Sequence, residues 1–330
     1  MKKPIAVIDL YCGMGGFTQG AVEAGATVIL SCDFWDESVK VHKLNHPGIP
    51  CLQLKLGSPS DWKLIKKYID KYPNYHIHLH GSPPCQALSN ASSTDPSKGM
   101  PLILHFLDLV EKLNPDSWSM ENVVPMRKRL PEGTPSVVLN SADFGVPQTR
   151  RRCIAGEGWS ANPSHSKDEW VSVIQALPHL ENDLLMDSGR ANAKTTGINP
   201  KTGKKEGGSG YLSRSLDNPS YTIMTSPRSL VINTTGGGKS NSRRVNSADS
   251  IVSKPSKTIH NNIPSIRIFN HEEKPTKIRS LTIEETLIIQ GFNPNYDLSS
   301  TKTKKSRWTM VGNAVCPAVA RAIIEGIHNG

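Results

Sequence analysis

The chain places a thiol at a stiff point. Gly81-Ser-Pro-Pro-Cys85-Gln86 follows the run His76-Ile-His-Leu-His80. Each proline fixes φ and lacks an N–H, so the backbone there continues neither a helix nor a sheet ladder. A cysteine held this way is either a structural thiol in a proline turn or a positioned nucleophile. Glu121-Asn122-Val123 offers a carboxylate at a strand end. Such a group serves as a general acid when burial raises its pKa; the plainer alternative is an ordinary strand exit. Gln148-Thr-Arg150-Arg-Arg152 offers adjacent guanidinium groups. In an extended segment Arg150 and Arg152 share a face, suited to a carboxylate, a phosphate or a polar base edge; the alternative is a solvated charge run.

A second constellation suits a ligand. Asp9-Leu-Tyr11-Cys-Gly13-Met-Gly15-Gly16 follows an apolar run and opens a helix, and glycines let a ligand approach the backbone. The dinucleotide fingerprint would need glycine at 18, where Thr18 stands, which disfavours NAD. Asp33 ends a second strand, where acids commonly hydrogen-bond a ribose, and Phe34 can stack on an adenine. The pair suggests an adenosine-containing cofactor, unless Asp33 only caps the next helix and Phe34 is core.

The elements that must position these groups alternate. Strands are predicted at Ile5–Leu10, Ala26–Ser31, His76–His80 and Ser117–Met120. Helices are predicted at Phe17–Ala24, closed by Gly25, at 38–44, and over 101–113 with Pro101 in the first turn. This is the pattern of an α/β fold with an open, doubly wound, mostly parallel sheet. The glycine loop, Asp33, Cys85 and Glu121 each follow a strand, so they converge on the rim where such sheets bind ligands. That convergence favours the reactive reading of Cys85. Later, Thr282-x-x-Glu285 fits a capping box before Gln290-Gly291-Phe292, and a terminal helix is predicted from about Pro317 to Ile327. His76, His78 and His80 share a side, which strand alternation explains.

Charge is unevenly placed. The formal net charge is +10, and residues 188–270 alone hold 13 Lys/Arg against 3 Asp/Glu. The rest of the chain is neutral. This segment is rich in Gly, Ser, Thr and Asn and reads as a solvated insertion or a nucleic-acid-binding module. Within it Pro219-Ser-Tyr-Thr-Ile223 and Pro255-Ser-Lys-Thr-Ile259 echo one another, as two turn-strand units of a small β-rich domain. The 6 cysteines form no Cys-x-x-Cys pair, so neither a zinc ribbon nor a disulfide framework is expected, and reduced, intracellular thiols are the simplest reading. Met1–Asp9 reads as a first strand rather than a signal peptide, and no apolar run is long enough to span a membrane.

Taken in order, these motifs resemble the cytosine-C5 DNA methyltransferase family from end to end, with Arg279-x-Leu-Thr-x-x-Glu285 and Gly312-Asn313-Ala-Val315 completing the set. The resemblance implies a Rossmann-like class I methyltransferase domain, at 1–185 plus about 293–330, and a smaller β-rich target-recognition domain at about 186–292. It implies S-adenosylmethionine as cofactor, S-adenosylhomocysteine as product and no metal. Asp9, Tyr11, Gly13, Gly15, Gly16, Asp33, Phe34, Pro84, Leu102 and Asn313 would surround the cofactor. Cys85 would add to C6 of a flipped cytosine, Glu121 would hold and protonate N3, and Arg152 and Arg150 would contact O2 or orient the carboxylate. Implied partners are double-stranded DNA and a cognate restriction endonuclease, for a cytoplasmic, prokaryotic or phage-encoded monomer. A tRNA-methylating enzyme and a catalytically silent DNA-binding relative are the alternatives; intact Cys85 and Glu121 argue against the second. The chain departs from the family at Trp35 and Ser58, where aspartates are common, and at Lys98, where arginine is usual.

Overall fold

The structure is a computed structural model. It describes residues 2–84, 99–180, 184–198, 205–215, 217–223, 267–270 and 279–328, the backbone alone at 184–198, 205–215, 267–270 and 279–280. β1 (Ile5–Leu10), α1 (Gly16–Glu23), β2 (Thr27–Asp33), α2 (Asp36–Asn45), β3 (Cys51–Gln53), α3 (Asp61–Ile69), β4 (His76–Gly81), α4 (Met100–Leu113) and β5 (Ser117–Val123) alternate. Then come β6 (Ser136–Asn140), β7 (Gln148–Thr149), β8 (Arg151–Glu157), α5 (Val173–Ala176), β9 (Leu184–Ile198), β10 (Lys205–Ser215), β11 (Ser220–Tyr221), β12 (Arg267–Asn270) and β13 (Arg279–Ser280). Three helices close the chain: α6 (Ile283–Gln290), α7 (Lys304–Asn313) and α8 (Pro317–Glu325).

The main sheet has seven strands in the order β3-β2-β1-β4-β5-β8-β6. The first five are parallel; β8 runs antiparallel to both β5 and β6. The sheet is therefore mostly parallel, as expected, with one reversal that the motif pattern did not reveal. Side chains alternate across β1. Ala6, Ile8 and Leu10 pack on Ile103, Phe106 and Leu109, which recur every third residue along α4. Val7 faces the other way, toward Phe17 and Ala21 of α1 and Val319 and Ile323 of α8. Both faces are thus covered, and each such fully buried side chain contributes about 1.5–3 kcal/mol.

The histidines of β4 lie on the α1 side and are bonded to serines. Ser117 bridges His76 Nε2 and His78 Nδ1 at 2.8 Å each. Ser119 bridges His78 Nε2 at 2.9 Å and His80 Nδ1 at 2.8 Å, and Ser82 meets His80 Nε2 at 2.9 Å. The ring of Phe17 stacks on His80 with centroids 3.4 Å apart. Burial drives the His78 pKa down to about 3 and lowers those of His76 and His80, so the ladder is neutral. Polar rings occupy an apolar layer because their nitrogens are satisfied.

A second sheet has the order β10-β9-β12-β13, antiparallel throughout. The first Pro-Ser-x-Thr-Ile unit supplies β11, which pairs with β7; the second, at 255–259, lies outside the described residues. Leu180, Ile223, Leu281 and Ile289 meet in one apolar cluster. The capping box of α6 forms as expected, with the Thr282 side chain accepting from Glu285 N–H and Gly291 closing the helix at φ 88. Leu287 of α6 and Phe292 pack with Met14, which follows β1, and Val41 of α2. Among the described residues no helix is long and apolar enough to cross a membrane.

Candidate active site

The carboxyl ends of the parallel strands share one rim. β1 leads into the glycine loop, β2 into Asp33-Phe34, β4 into Ser82-Pro83-Pro84, and β5 ends with Glu121-Asn122-Val123. Because β8 is reversed, it presents its first residues to this rim: Val123 pairs with Arg152. Arg152 Nε lies 2.9 Å from Glu121 Oε1. Glu121, Arg150 and Arg152 line one narrow cleft with Ser141, Val315 and Cys316. The three predicted polar groups are therefore brought together. Cys85 and its loop, 85–98, lie outside the described residues. Their entry is fixed by Asn122, whose Nδ2 donates to the Pro83 carbonyl at 3.1 Å.

The arginine arm is held by residues far apart in sequence. Arg150 is buried, and its Nη2 donates to the Ala314 carbonyl at 3.2 Å. The same oxygen accepts from Gln290 Nε2 at 2.8 Å. Gln148 Nε2 in turn donates to Gln290 Oε1 at 2.8 Å, and Gln148 Oε1 accepts from Ile223 N–H at 3.0 Å. Thus Gln148, Gln290 and the Ala314 strip serve to seat Arg150, a role the spacing alone did not announce.

The glycine loop is built for close approach. Tyr11, Gly13 and Gly15 have φ of 56, 55 and 99. A Cβ at Gly16 would lie 2.1 Å from the Val315 carbonyl, so the loop touches the strip that also receives Arg150. Asp33 Oδ2 accepts from Gly13 N–H at 2.9 Å and Oδ1 from Trp35 N–H at 2.8 Å. Burial raises its pKa, while these N–H donors hold the carboxylate form. Phe34 is 57% exposed beside it, an open ring rather than core. Asp9, by contrast, is fully buried and reaches Thr18 N–H at 3.1 Å and the Thr18 hydroxyl at 2.7 Å. It anchors the start of α1 rather than the open side of the loop. The Tyr11 hydroxyl is buried with no partner among the described residues.

The remaining predicted cofactor residues are Pro84, Leu102 and Asn313. Pro84 and Leu102 are half-buried, and Asn313 ends α7 in an exposed position. Asp61 stands three residues after Ser58. Its Oδ2 accepts from the N–H groups of Gly57 and Ser58 at 2.8 and 2.9 Å and lies 3.1 Å from His105 Nε2, so it shapes the turn. An exposed ring, a carboxylate fixed at the strand end and open space over Gly13, whose φ of 55 favours glycine, fit an adenosyl group.

The chain matches the model of the C-5 cytosine-specific DNA methylases over residues 5–132 and 133–329. It is 27% identical to Type II methyltransferase M1.HphI of Haemophilus parahaemolyticus, covering 98% of this chain and 86% of that protein. It is 30% identical to Type II methyltransferase M.HgiDI of Herpetosiphon aurantiacus, covering 93% and 89%. In fold it is similar to the S. pombe Dnmt2 methyltransferase, with TM-score 0.57 and 14% identity over 96% of both chains. With motifs in order, a rim that gathers Glu121, Arg150 and Arg152, and a family match across nearly its whole length, this chain belongs to the C-5 cytosine-specific DNA methylases.

Proposed function

We propose that this protein methylates C5 of a cytosine flipped out of a specific duplex DNA sequence, through a covalent bond between Cys85 and C6. The observation that carries this is the Glu121–Arg152 pair, at 2.9 Å in the cleft shared with Arg150, beside the anchored entry to the Cys85 loop. Cytosine C5 is a poor nucleophile. Addition of the Cys85 thiolate to C6, with proton donation from Glu121 to N3, makes C5 enamine-like. Arg152 orients Glu121, and Arg150 and Arg152 offer donors to O2. S-adenosylmethionine supplies an electrophilic sulfonium methyl when bound. Asp33, Phe34, Tyr11 and the backbone of Gly13–Gly16 would hold it, with Pro84, Leu102 and Asn313 around it. After transfer the C5 proton leaves to a base, a role open to water, Cys85 is eliminated as thiolate, and N3 returns its proton to Glu121.

Extrusion of the base costs a few kcal/mol, which contacts to DNA must offset. The basic segment 188–270, with 13 Lys/Arg, suits that work, and binding weakens steeply with salt. The proposed catalytic domain is 1–185 plus about 293–330, and the target-recognition domain about 186–292. The protein acts as an intracellular monomer in a prokaryote or phage, paired with a restriction endonuclease of the same site.

DNA incubated with the protein and S-adenosylmethionine, then mapped by bisulfite sequencing, should carry 5-methylcytosine in one sequence context. DNA containing 5-fluorocytosine should trap the wild type covalently and not Cys85→Ala. Folded, cofactor-binding protein that methylates no DNA, or that methylates tRNA instead, overturns the proposal. Trapping that survives Cys85→Ala identifies another nucleophile.

A further inference from the structure

Three soft donors meet behind the glycine loop. Cys12 follows β1, His42 lies on α2, and Cys51 opens β3; all three are buried, and their donor atoms lie within 4.8 Å of one another. The two Sγ atoms are 3.9 Å apart. Two thiolates on one zinc ion, with Zn–S of about 2.3 Å and a tetrahedral angle, sit roughly 3.8 Å apart. The sulfurs therefore already stand at the separation a shared ion requires.

The imidazole is held in the form that binds metal. The Thr18 hydroxyl gives its hydrogen to Asp9 Oδ2 at 2.7 Å. The 3.0 Å contact between Thr18 Oγ1 and His42 Nε2 is then an N–H donation from the ring. That leaves Nδ1 with a lone pair, and Nδ1 is buried with no partner among the described residues. A ring nitrogen stripped of water without a hydrogen bond costs free energy, which a bound cation would offset. A ligating histidine commonly has its other nitrogen fixed through such an outer partner, here the Thr18–Asp9 pair.

We infer that Cys12, His42 and Cys51 form a site for a thiophilic cation, Zn2+ or Cu+. Two thiolates and a neutral imidazole are the donors such ions prefer. With Zn2+ the set is electrically neutral, which suits surroundings that include Val39. Binding displaces one proton from each thiol to solvent, and no oxidant or reductant is involved. The three protein donors leave one tetrahedral position for water. The ion would clamp the cofactor loop to α2 and β3, a structural part separate from the methyl-transfer groups. The inference rests on this donor geometry and not on the proposed reaction.

The test uses full-length protein, reduced with a phosphine and stripped with a chelator. Co2+ added without air should give one equivalent of thiolate-to-cobalt charge-transfer absorption, bleached by Zn2+. Competition against a zinc chelator and a copper(I) chelator shows which cation is held. Cys51→Ser should lose the band and weaken Zn2+ binding by more than about 100-fold, beyond the cost of losing an outer-shell partner. Cys32→Ser, altering a buried thiol outside the set, should keep it. Equal thermal unfolding of the stripped wild type and Cys51→Ser checks that the variant folds; His42→Gln repeats the test where it does not. No metal uptake by the reduced wild type, or a band that survives both Cys51→Ser and His42→Gln, overturns the site.

Discussion

Arg152 reaches Glu121 through Nε at 2.9 Å, although the β5–β8 register sets it opposite Val123. The contact is diagonal, and one Nη atom is also bonded, donating to the Arg151 carbonyl at 2.9 Å. Two guanidinium nitrogens are thus engaged, which holds the group beside the carboxylate. Arg152→Ala should slow single-turnover methyl transfer by about 10–100-fold, the worth of a hydrogen bond to a charged group, with cofactor affinity unchanged. Arg152→Lys should not restore the rate, because an ammonium lacks the planar fork. Full rescue by lysine would reduce the role of Arg152 to charge alone.

Phe34 is 57% exposed next to Asp33, so its removal should leave the core intact. Phe34→Ala should weaken S-adenosylmethionine binding by about 3–10-fold, the range expected for one lost ring stack, with an unchanged melting temperature. Calorimetric titration measures the first and thermal unfolding the second. An unaltered Kd would remove Phe34 from the cofactor pocket.

Gly16→Ala tests the seam between the two ends of the chain. The added Cβ would lie 2.1 Å from the Val315 carbonyl, a backbone atom that cannot step aside alone. Overpacking of this kind costs about 1–3 kcal/mol or more, so the variant should melt lower by several degrees. A wild-type melting temperature would mean that α1 and the strip before α8 are looser than this contact requires.

The histidine ladder makes stability depend on pH. His78 titrates near 3 in the folded protein against an ordinary 6.5, and His76 and His80 are lowered as well, all chiefly by burial. Between those values the unfolded chain binds more protons than the native one, so stability falls as pH drops, by up to about 1.4 kcal/mol per pH unit for each group. Asp9, raised by burial from 3.8 to about 7, works in the opposite direction over that window. Burial raises Asp33 too, and it lowers His42 to about 3 and His46 to about 4. Five lowered histidines outweigh two raised carboxyls, and the urea midpoint should be clearly lower at pH 5 than at pH 7.5. A midpoint that rises on acidification would contradict a buried, neutral ladder.

Much of this arrangement was legible from residue types. β1, α1, β2, β4 and α4 follow from apolar runs broken by Gly25 and Pro101, and α6 from its capping box. The reversal of β8 was not, since Arg151–Glu157 reads alike in either direction. α7 was not either: its run, Lys304-Lys-Ser-Arg-Trp-Thr-Met-Val-Gly-Asn313, has no clear apolar stripe. At the site, each polar group could be assigned to a strand end. Their partners could not, because the Gln148–Gln290 and Arg150–Ala314 bonds span 142 and 164 residues. The alternating histidines were visible, but two of the serines that satisfy them, Ser117 and Ser119, lie on β5. The thiol–imidazole group was invisible to spacing rules, since Cys12 and Cys51 are 39 residues apart.

The apolar cluster of Leu180, Ile223, Leu281 and Ile289 has a consequence for how this chain can change. It joins Leu180, which follows α5, to Leu281, which precedes α6, about a hundred residues later in the chain. The stems of the intervening stretch are therefore sewn together with one point inside it, Ile223. Closing a longer loop on fixed stems adds little, about 0.6 kcal/mol for each doubling of length. Length can change on either side of residues 220–223 while the rim that holds Glu121 keeps its geometry, but that short segment must stay, because it pairs with β7 and its Ile223 N–H donates to Gln148.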